Sequence, residues 1–424
     1  MEGVAVVGAG HIGLPWASVL AATYKVPVTC IDIDDTRVKE VNRGEAPFDE
    51  PKLDEYLETA VEAGTLTATT DPSVVADHRY IAFTINAPRN GMSEFLDTIR
   101  GYAKHIEDDH IVINRTTVPV SMIDRMRRTL DHHASGSPSF ITFPERLAEG
   151  KAINEIESLP KIVGVDDKTG REAIQSLLGR FDCEIRFTDL ETAMFVKLID
   201  NSYRDALFAI ANQIAFTADE LYLDAHEAIS LANYEYPRND IPSPGPVGGK
   251  CLPKDPHFLT DERVCDQPTT PDLFTSTRQT NAALSSYVVT EILRRQPSKV
   301  AMCGLSYKGG IGDTYNSPAK TIADELATQG VPVELSDPHV PDTGDLTTAL
   351  TDADVVVLAV NHPEFEGIES QINTLTSDDV IVYDLWGVLE REMISGTYDG
   401  FGVRVSTSQN KSDSEQSGEY DPIS

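Results

Sequence analysis

Basic residues are scarce in this chain: 35 lysines and arginines face 68 aspartates and glutamates, for a net charge of −33. A surface so acidic repels polyanions, which excludes nucleic acid and anionic membranes as the main partners. Cysteine is also sparse. The five residues, at 30, 183, 251, 265 and 303, are odd in number and include no CxxC pair or closely placed histidines. They define neither a disulfide framework nor a zinc site, and they fit a reducing compartment. No uncharged apolar run reaches the roughly 18 residues of a membrane span. The N-terminus enters a strand directly, with no basic segment or signal-type apolar core before it, so a cytoplasmic location is expected. A salt-rich cytoplasm tolerates this charge because its counterions screen self-repulsion, which points to a halophilic source.

What is present is a pattern of short apolar strands alternating with helices. At 424 residues the chain holds two or three domains of about 100 to 200 residues each. GVAVVG (3–8), VTCIDID (28–34) and apolar runs at 80–84, 111–114, 140–143 and 161–165 alternate with helical or turn-rich segments. A second series starts at KVAMCG (299–304) and continues through VPVELSDP (331–338), ADVVVLAV (353–360) and DVIVYDLWGVL (379–389). Between them, from about Leu190 to Leu231, the period is helical. The fold class is therefore α/β, with two Rossmann-like doubly wound parallel-sheet domains (1–188 and 297–405) joined by a central helical domain (189–296). The polar, acidic segment 406–424 is expected to be a disordered tail.

The loop after the first strand carries Gly8, Gly10 and Gly13 in GAGHIG, and Asp32 ends the next strand, 19 residues after Gly13. Bare backbone at a helix N-terminus accepts a pyrophosphate, and the carboxylate accepts hydrogen bonds from the ribose hydroxyls. An acid at that place repels a 2′-phosphate, so the cofactor is NAD. In SPGPVGGKCLPKDPHFL (243–259), Cys251 follows Gly245, Gly248 and Gly249 and precedes Lys254 and Asp255. The glycines are expected to clear the space in front of the sulfur, and a helix starting at the prolines would place Cys251 and Asp255 on one face. A thiol at a helix start is a reactive thiolate. Lys197 and Asn201 share a helix face with Arg204 or Asp205, and the apolar Phe195, Val196, Leu198 and Ile199 around them predict a buried helix. An ammonium and an amide presented together stabilise an oxyanion. Thr117 in RTTVP and Glu145 in FPERL follow strands of the first sheet, at the ends where ligands of open sheets collect.

Taken in order, GAGHIG with Asp32, RTTVP, FPER, AMFVKLIDNSYRD, NYEYPRNDIPSPGPVGGKCLPKD and GLSYKGGIGDTYNSPA resemble the nucleotide-sugar 6-dehydrogenases, from about residue 3 to 404. That family includes UDP-glucose and UDP-N-acetylmannosamine dehydrogenases. The resemblance implies an NAD domain, a helical dimerisation core and a second domain for the UDP of the substrate, in a homodimer or larger homo-oligomer with shared sites. It implies that Cys251 is the nucleophile and that Lys197 and Asn201 stabilise the oxyanion. Asp255 would activate water or the substrate hydroxyl, and Thr117 and Glu145 would assist hydrolysis. His11, Ile12, Arg37, Thr84 and Thr117 would join Gly8, Gly10, Gly13 and Asp32 around NAD. Glu145, Arg146, Lys197, Asn201, Gly248, Gly249 and Lys308 would contact substrate, and Arg238 would reach a neighbouring subunit's site.

The implied chemistry is a four-electron oxidation of a primary alcohol to an acid, in which Cys251 holds the aldehyde covalently between two hydride transfers. Two departures from the family stand out. Tyr315 occupies the usual place of an arginine, and TINAPRN (84–90) lacks the usual proline and threonine. They motivate an alternative of another class, a non-catalytic NAD-binding regulator; a two-electron alcohol dehydrogenase is a third reading. FPERL is closer to the acetamido-sugar branch than to the UDP-glucose branch, which places UDP-N-acetylmannosamine ahead of UDP-glucose as substrate. The charge excess makes one prediction independent of chemistry: the melting temperature falls when KCl is diluted from molar to millimolar levels. A melting temperature insensitive to salt contradicts it.

Overall fold

The structure, a computed structural model, describes residues 3–260 and 272–403. Cys265 and the tail expected to be disordered lie outside the described residues. The chain divides into two compact units, residues 1–201 with 254–270 and residues 202–253 with 271–424. The division falls inside the helical stretch. Secondary structure itself changes near the expected boundaries, since one sheet ends at Thr188 and the next begins at Val300.

The first unit holds strands β1 (Val4–Val7), β2 (Val28–Ile31), β3 (Leu66–Thr69), β4 (Tyr80–Phe83), β5 (Ile111–Asn114), β6 (Ser139–Thr142), β7 (Lys161–Val165) and β8 (Ile185–Thr188). Their order is β3-β2-β1-β4-β5-β6-β7-β8. All neighbours are parallel except β6 and β7, where the sheet reverses, a departure from the all-parallel expectation. Segment 143–160, which carries FPERL and the helix Ala152–Ser158, makes that return. The central strands VAVV, YIAF and IVIN are buried along their whole length, because helices cover both faces and neither can be polar. Alternate residues enter opposite cores: Val4 and Val6 face one apolar cluster, Ala5 and Val7 the other.

The second unit holds β9 (Val300–Cys303), β10 (Val333–Ser336), β11 (Val355–Leu358), β12 (Ile381–Asp384) and β13 (Thr397–Gly400), ordered β10-β9-β11-β12-β13 and parallel throughout. Val300 and Met302 face one core, Ala301 and Cys303 the other. Burial pushes the Cys30 and Cys303 thiols up to about 12, so both are inert packing residues.

The helical stretch is one helix of 32 residues, Leu190–Leu221. It stops where Tyr222 takes φ 57°, and a second helix, Ala225–Asn233, restarts with Asp224 accepting the Glu227 N–H. The expectation of a helix buried all round is corrected. Lys197, Leu198 and Asn201 are buried, while Phe195, Ile199, Tyr203 and Ile210 are exposed. The polar residues point in, and one apolar stripe points out.

In the second unit, this helix packs through Phe216 against Tyr287 and Phe401, with ring centroids 5.1 and 4.8 Å away. Asp219 sits behind them, accepting from the Tyr287 hydroxyl at 2.6 Å and from the Gly402 N–H at 3.0 Å. Burial raises the Asp219 carboxyl from its ordinary 3.8 to about 6 against the pull of those two bonds. A group whose folded-state pKa is raised stabilises the fold fully below its unfolded pKa, and that contribution is lost as pH rises through the folded value. Urea titrations from pH 4 to 7 at fixed salt should therefore show wild type losing up to about 2 kcal/mol relative to Asp219→Asn. Parallel curves for the two proteins refute the assignment.

Candidate active site

The first part of the site is the crevice after β1. Gly8 takes φ +102°, which only glycine adopts without strain. A Cβ on Gly13 would meet the Gly8 carbonyl oxygen at 2.0 Å and Thr84 Oγ1 at 2.4 Å, whereas one on Gly10 would meet nothing within 4 Å. The two glycines therefore do different work: Gly13 lets helix and loop touch, and Gly10 leaves open space above bare backbone. The helix Gly13–Ala22 follows with Ile12 at its N-cap, which offers no side-chain cap; Leu14 N–H donates to the Gly10 carbonyl at 3.0 Å and Pro15 carries no N–H, so of the first three helical residues Gly13 is the one whose N–H is left for a ligand at that space. Thr84 donates to the carbonyls of Val7 and Gly8 at 2.9 and 2.7 Å, fixing the loop from β4. Asp32 accepts the Ala9 N–H at 2.8 Å and the Arg37 guanidinium at 3.2 Å. His11 stacks on Phe48 at 4.0 Å. Open backbone, an uncapped helix start and a carboxylate at the second strand fit a dinucleotide.

A second constellation in this unit surrounds the long helix. Asn201 Nδ2 donates to Asp255 Oδ2 at 2.6 Å, and Asp255 is fully buried. Lys254 Nζ lies 3.6 Å from Asp255 Oδ1 and also reaches the Ala87 carbonyl at 3.3 Å. Lys197, one turn before Asn201, is 7% exposed. Arg146 Nε donates to Asp200 at 2.7 Å, which ties FPERL to the same helix. Glu145 is buried and occupied: one carboxylate oxygen accepts the N–H groups of Arg146 and Leu147, and the other pairs with Arg115. The Arg115 guanidinium lies between the rings of Trp16 and Phe143, 4.4 Å from each. Burial pulls it below its ordinary value, to about 9. Thr117 is half-buried at the mouth of β5. Its neighbour Thr116 is buried and donates to the Ile85 carbonyl at 2.9 Å.

The remaining predicted residues belong to the second unit. Cys251 is exposed. The short helix begins only at Asp255, so Cys251 lies in the turn before it and not in a first helical turn as expected. The glycines in front of the sulfur are not bare toward open space either. A Cβ on Gly245 would meet the Trp386 ring at 2.7 Å, and one on Gly249, at φ +84°, would meet the Tyr307 ring at 2.7 Å. On Gly248 it would strike the Asn316 carbonyl oxygen and Pro318, both at 2.7 Å. They permit the loop to press on its own unit, and Asn212 pins it with a pair of bonds to the Gly245 backbone, at 2.8 and 3.1 Å. Lys250 pairs with Asp313 at 2.6 Å, and its Nζ is 5.9 Å from the Tyr315 ring. Lys308 and Arg238 are exposed, Arg238 over the Tyr236 ring at 5.0 Å.

A dinucleotide crevice joined to a chain with a buried Lys-Asn-Asp group defines an NAD-dependent oxidoreductase. Residues 2–182 match the NAD binding domain of the UDP-glucose/GDP-mannose dehydrogenase family, residues 191–283 its central domain and residues 301–391 its UDP binding domain. The chain belongs to that family. It is 30% identical to UDP-N-acetyl-D-mannosamine dehydrogenase of Pyrococcus horikoshii, over 94% of this chain and 99% of that one. It is 32% identical to an NDP-N-acetyl-D-galactosaminuronic acid dehydrogenase of Ralstonia nicotianae, over 87% of this chain and 92% of that one. The solved structure of UDP-D-ManNAc dehydrogenase from Pyrococcus horikoshii superposes with a TM-score of 0.87 at 29% identity, covering 95% of this chain and all of that one. Among the described residues no helix is long and apolar enough to cross a membrane.

Sequence reasoning passed over Arg115 and Asn212. Arg115 opens the RTTVP motif but drew no role of its own, and Asn212 lies in no motif; the roles of both arise from contacts made across the fold. The contrast between the two loop glycines is testable. Gly10→Ala should fold normally and lose NAD affinity by about tenfold or more. Gly13→Ala should also lower the melting temperature through an overpacking cost of about 1–3 kcal/mol. Unchanged NAD titrations in a folded Gly10→Ala protein refute the crevice as the cofactor site.

Proposed function

We propose that this protein is an NAD-dependent UDP-N-acetyl-D-mannosamine 6-dehydrogenase that carries out a four-electron oxidation of the C6 alcohol to the acid. The observation that carries the chemistry is the buried Asn201–Asp255 pair with Lys197 one turn behind it. Burying a carboxylate, an amide and a lysine is unfavourable unless they are hydrogen-bonded, and a cluster of such groups inside the protein supports a chemical role. The sugar assignment is supported by Arg146, held by Asp200 one residue before Asn201, and by relatives with that name at 27–30% identity.

Two NAD molecules, bound one after the other, supply the hydride acceptors for the two oxidations. The C6 hydroxyl loses its proton to a base and the C6 carbon loses one hydrogen as a hydride, giving an aldehyde. The Cys251 thiolate adds to the aldehyde carbon, and the alkoxide that forms is stabilised by the Lys197 ammonium. The thiohemiacetal then loses a second hydride and becomes a thioester. Water, activated by Asp255, cleaves the carbon–sulfur bond and releases acid and thiol. Glu145, with both oxygens engaged, assists by fixing the FPERL loop, and Thr117 flanks it. UDP is held by the second unit, with Lys308 and the glycine loop of Gly248 and Gly249 as contacts. We also propose a cytoplasmic enzyme of a halophile, acting in glycan or cell-surface polymer synthesis. Its homodimer would form through the outward apolar stripe of Tyr203 and Ile210 with Tyr222 and Leu231, residues that are 52% to 79% exposed, and Arg238 would serve the partner's site.

Purified protein in high salt with NAD and a panel of UDP-sugars is the deciting assay: two NADH per UDP-N-acetylmannosamine are expected. One NADH per sugar means that oxidation stops at the aldehyde, and none from any sugar leaves only a binding protein. Cys251→Ala should abolish acid formation, by at least about a thousandfold, with NAD binding retained. Full activity in that variant removes the covalent mechanism.

A further inference from the structure

In the second unit the sheet order β10-β9-β11 places a topological switch point between β9 and β11, because the chain leaves β9 to one side and returns on the other. Ligands of open α/β sheets bind in the crevice outside the carboxyl ends of such a pair. Two loops form that crevice here: residues 304–317 after β9, carrying exposed Lys308, and residues 359–363 after β11. His362, fully buried, stands between them. Its Nδ1 accepts the Gly310 N–H at 3.0 Å. A backbone N–H can only donate, so Nδ1 is bare and the ring proton is on Nε2. Nε2 lies 3.1 Å from Asp337 Oδ2 and 3.1 Å from Ser306 Oγ. The Ser306 hydroxyl in turn donates to the Lys308 carbonyl at 2.8 Å.

Asp337, at the end of β10, anchors this chain of contacts. Its Oδ2 accepts the N–H groups of Leu305 and Ser306 at 2.6 and 3.0 Å, and Oδ1 those of His339 and Val340 at 2.8 and 3.1 Å. Burial pushes its carboxyl up, but the His362 bond and the backbone N–H groups outweigh that and hold it well below the usual carboxylate range. Close backbone approach reinforces the tie. A Cβ on Gly309 would meet the Asn361 carbonyl oxygen at 2.3 Å, and one on Gly304, at φ +96°, would meet Val360 Cβ at 2.5 Å. The His362 ring is also packed by His339 and Phe365, at 4.9 and 5.5 Å. Nothing in the oxidation described above uses this buried group.

We infer that His362 is a positioning residue for nucleotide recognition, joining the β9 and β11 loops so that Lys308 and the backbone around it are preset for the diphosphate of a UDP-sugar. Resting on the proposed reading for its substrate, it adds a residue that touches neither sugar nor cofactor and sets affinity for one of the two nucleotides. Presetting the loop removes an ordering cost from binding, so its loss falls on affinity and not on the chemical step.

Two isosteric changes divide the ring's contacts. His362→Gln places a donor near the Nε2 position and loses the acceptor for Gly310, whereas His362→Asn keeps an acceptor near Nδ1. With the full chain at fixed salt, His362→Gln should raise KM for UDP-N-acetylmannosamine by about five- to tenfold and weaken UDP binding in calorimetry by a similar factor. His362→Asn should do so less, and KM for NAD should stay within about twofold in both. Ser306→Ala, a smaller change that keeps the histidine, should show the same pattern at reduced size and serves if His362→Gln does not fold. Unchanged UDP affinity in folded His362→Gln or Ser306→Ala, or equal changes in both KM values, overturns the inference. UDP calorimetry needs no turnover, so it decides this point even if wild type oxidises no UDP-sugar.

Discussion

In each unit a carboxylate at the end of the second strand holds the loop that follows the first. Asp32 accepts the Ala9 N–H at 2.8 Å, and Asp337 accepts the Leu305 N–H at 2.6 Å. The loop residue before each contact is a glycine at positive φ, Gly8 at +102° and Gly304 at +96°. A side chain at either place would be strained and would strike the neighbouring loop, so the strand-to-helix turn could not close as it does. Both nucleotide sites depend on this turn. In the first unit Asp32 remains at the crevice, partnered by Arg37. In the second, Asp337 is buried and spends its lone pairs on backbone and His362. The same element thus leaves its carboxylate at an open crevice in one unit and buries it in the other.

The long helix shows how a polar group is kept inside a protein. Lys197 and Asn201 are buried where a helix would ordinarily bury leucine, and Phe195 and Tyr203 are outside where lysine would be ordinary. Asn201 is satisfied by Asp255, and Asp200 by Arg146, so three separated sequence segments converge on one turn of helix. Farther along, Asn281 donates to Asp205 at 2.8 Å and to the neighbouring backbone carbonyl at 3.0 Å, and Arg278 pairs with the same carboxylate at 2.5 Å. Such networks stabilise only when complete, because each buried group left without a partner costs about 1–3 kcal/mol.

Many acidic side chains hold the fold by hydrogen bonds. Asp34, Asp167, Asp224, Asp272 and Asp345 each cap a helix by accepting an N–H of its first turn. A carboxylate there satisfies a donor with no partner in the helix and opposes the helix dipole. Asp384 goes further: buried after β12, it accepts from the N–H groups of Trp386, Gly387 and Leu389 and from the Tyr398 hydroxyl. Net charge, read from composition, cannot separate these hydrogen-bonded carboxylates from the ones that meet only solvent and that a salty medium would screen.

Local pattern decided much here. The fully buried strands, the helical period from Leu190, the Gly8–Gly10–Gly13 turn and Asp32 follow from residue type and spacing, because a strand covered on both faces must be apolar and a turn at positive φ must be glycine. Three of the four edge strands were not legible: Leu66–Thr69, Ile185–Thr188 and Thr397–Gly400 are part polar, and only pairing with a neighbour makes them strands. Nor was the reversal at β7, the outward turn of Phe195, or the packing of the Cys251 glycines against Trp386 and Tyr307. Sequence by itself determined the central buried strands, the long helical stretch and the family to which the chain belongs. Tertiary structure alone decided which carboxylates are buried and what each one holds, because a hydrogen-bond partner 54 residues away, as Asp255 is from Asn201, leaves no trace in local spacing.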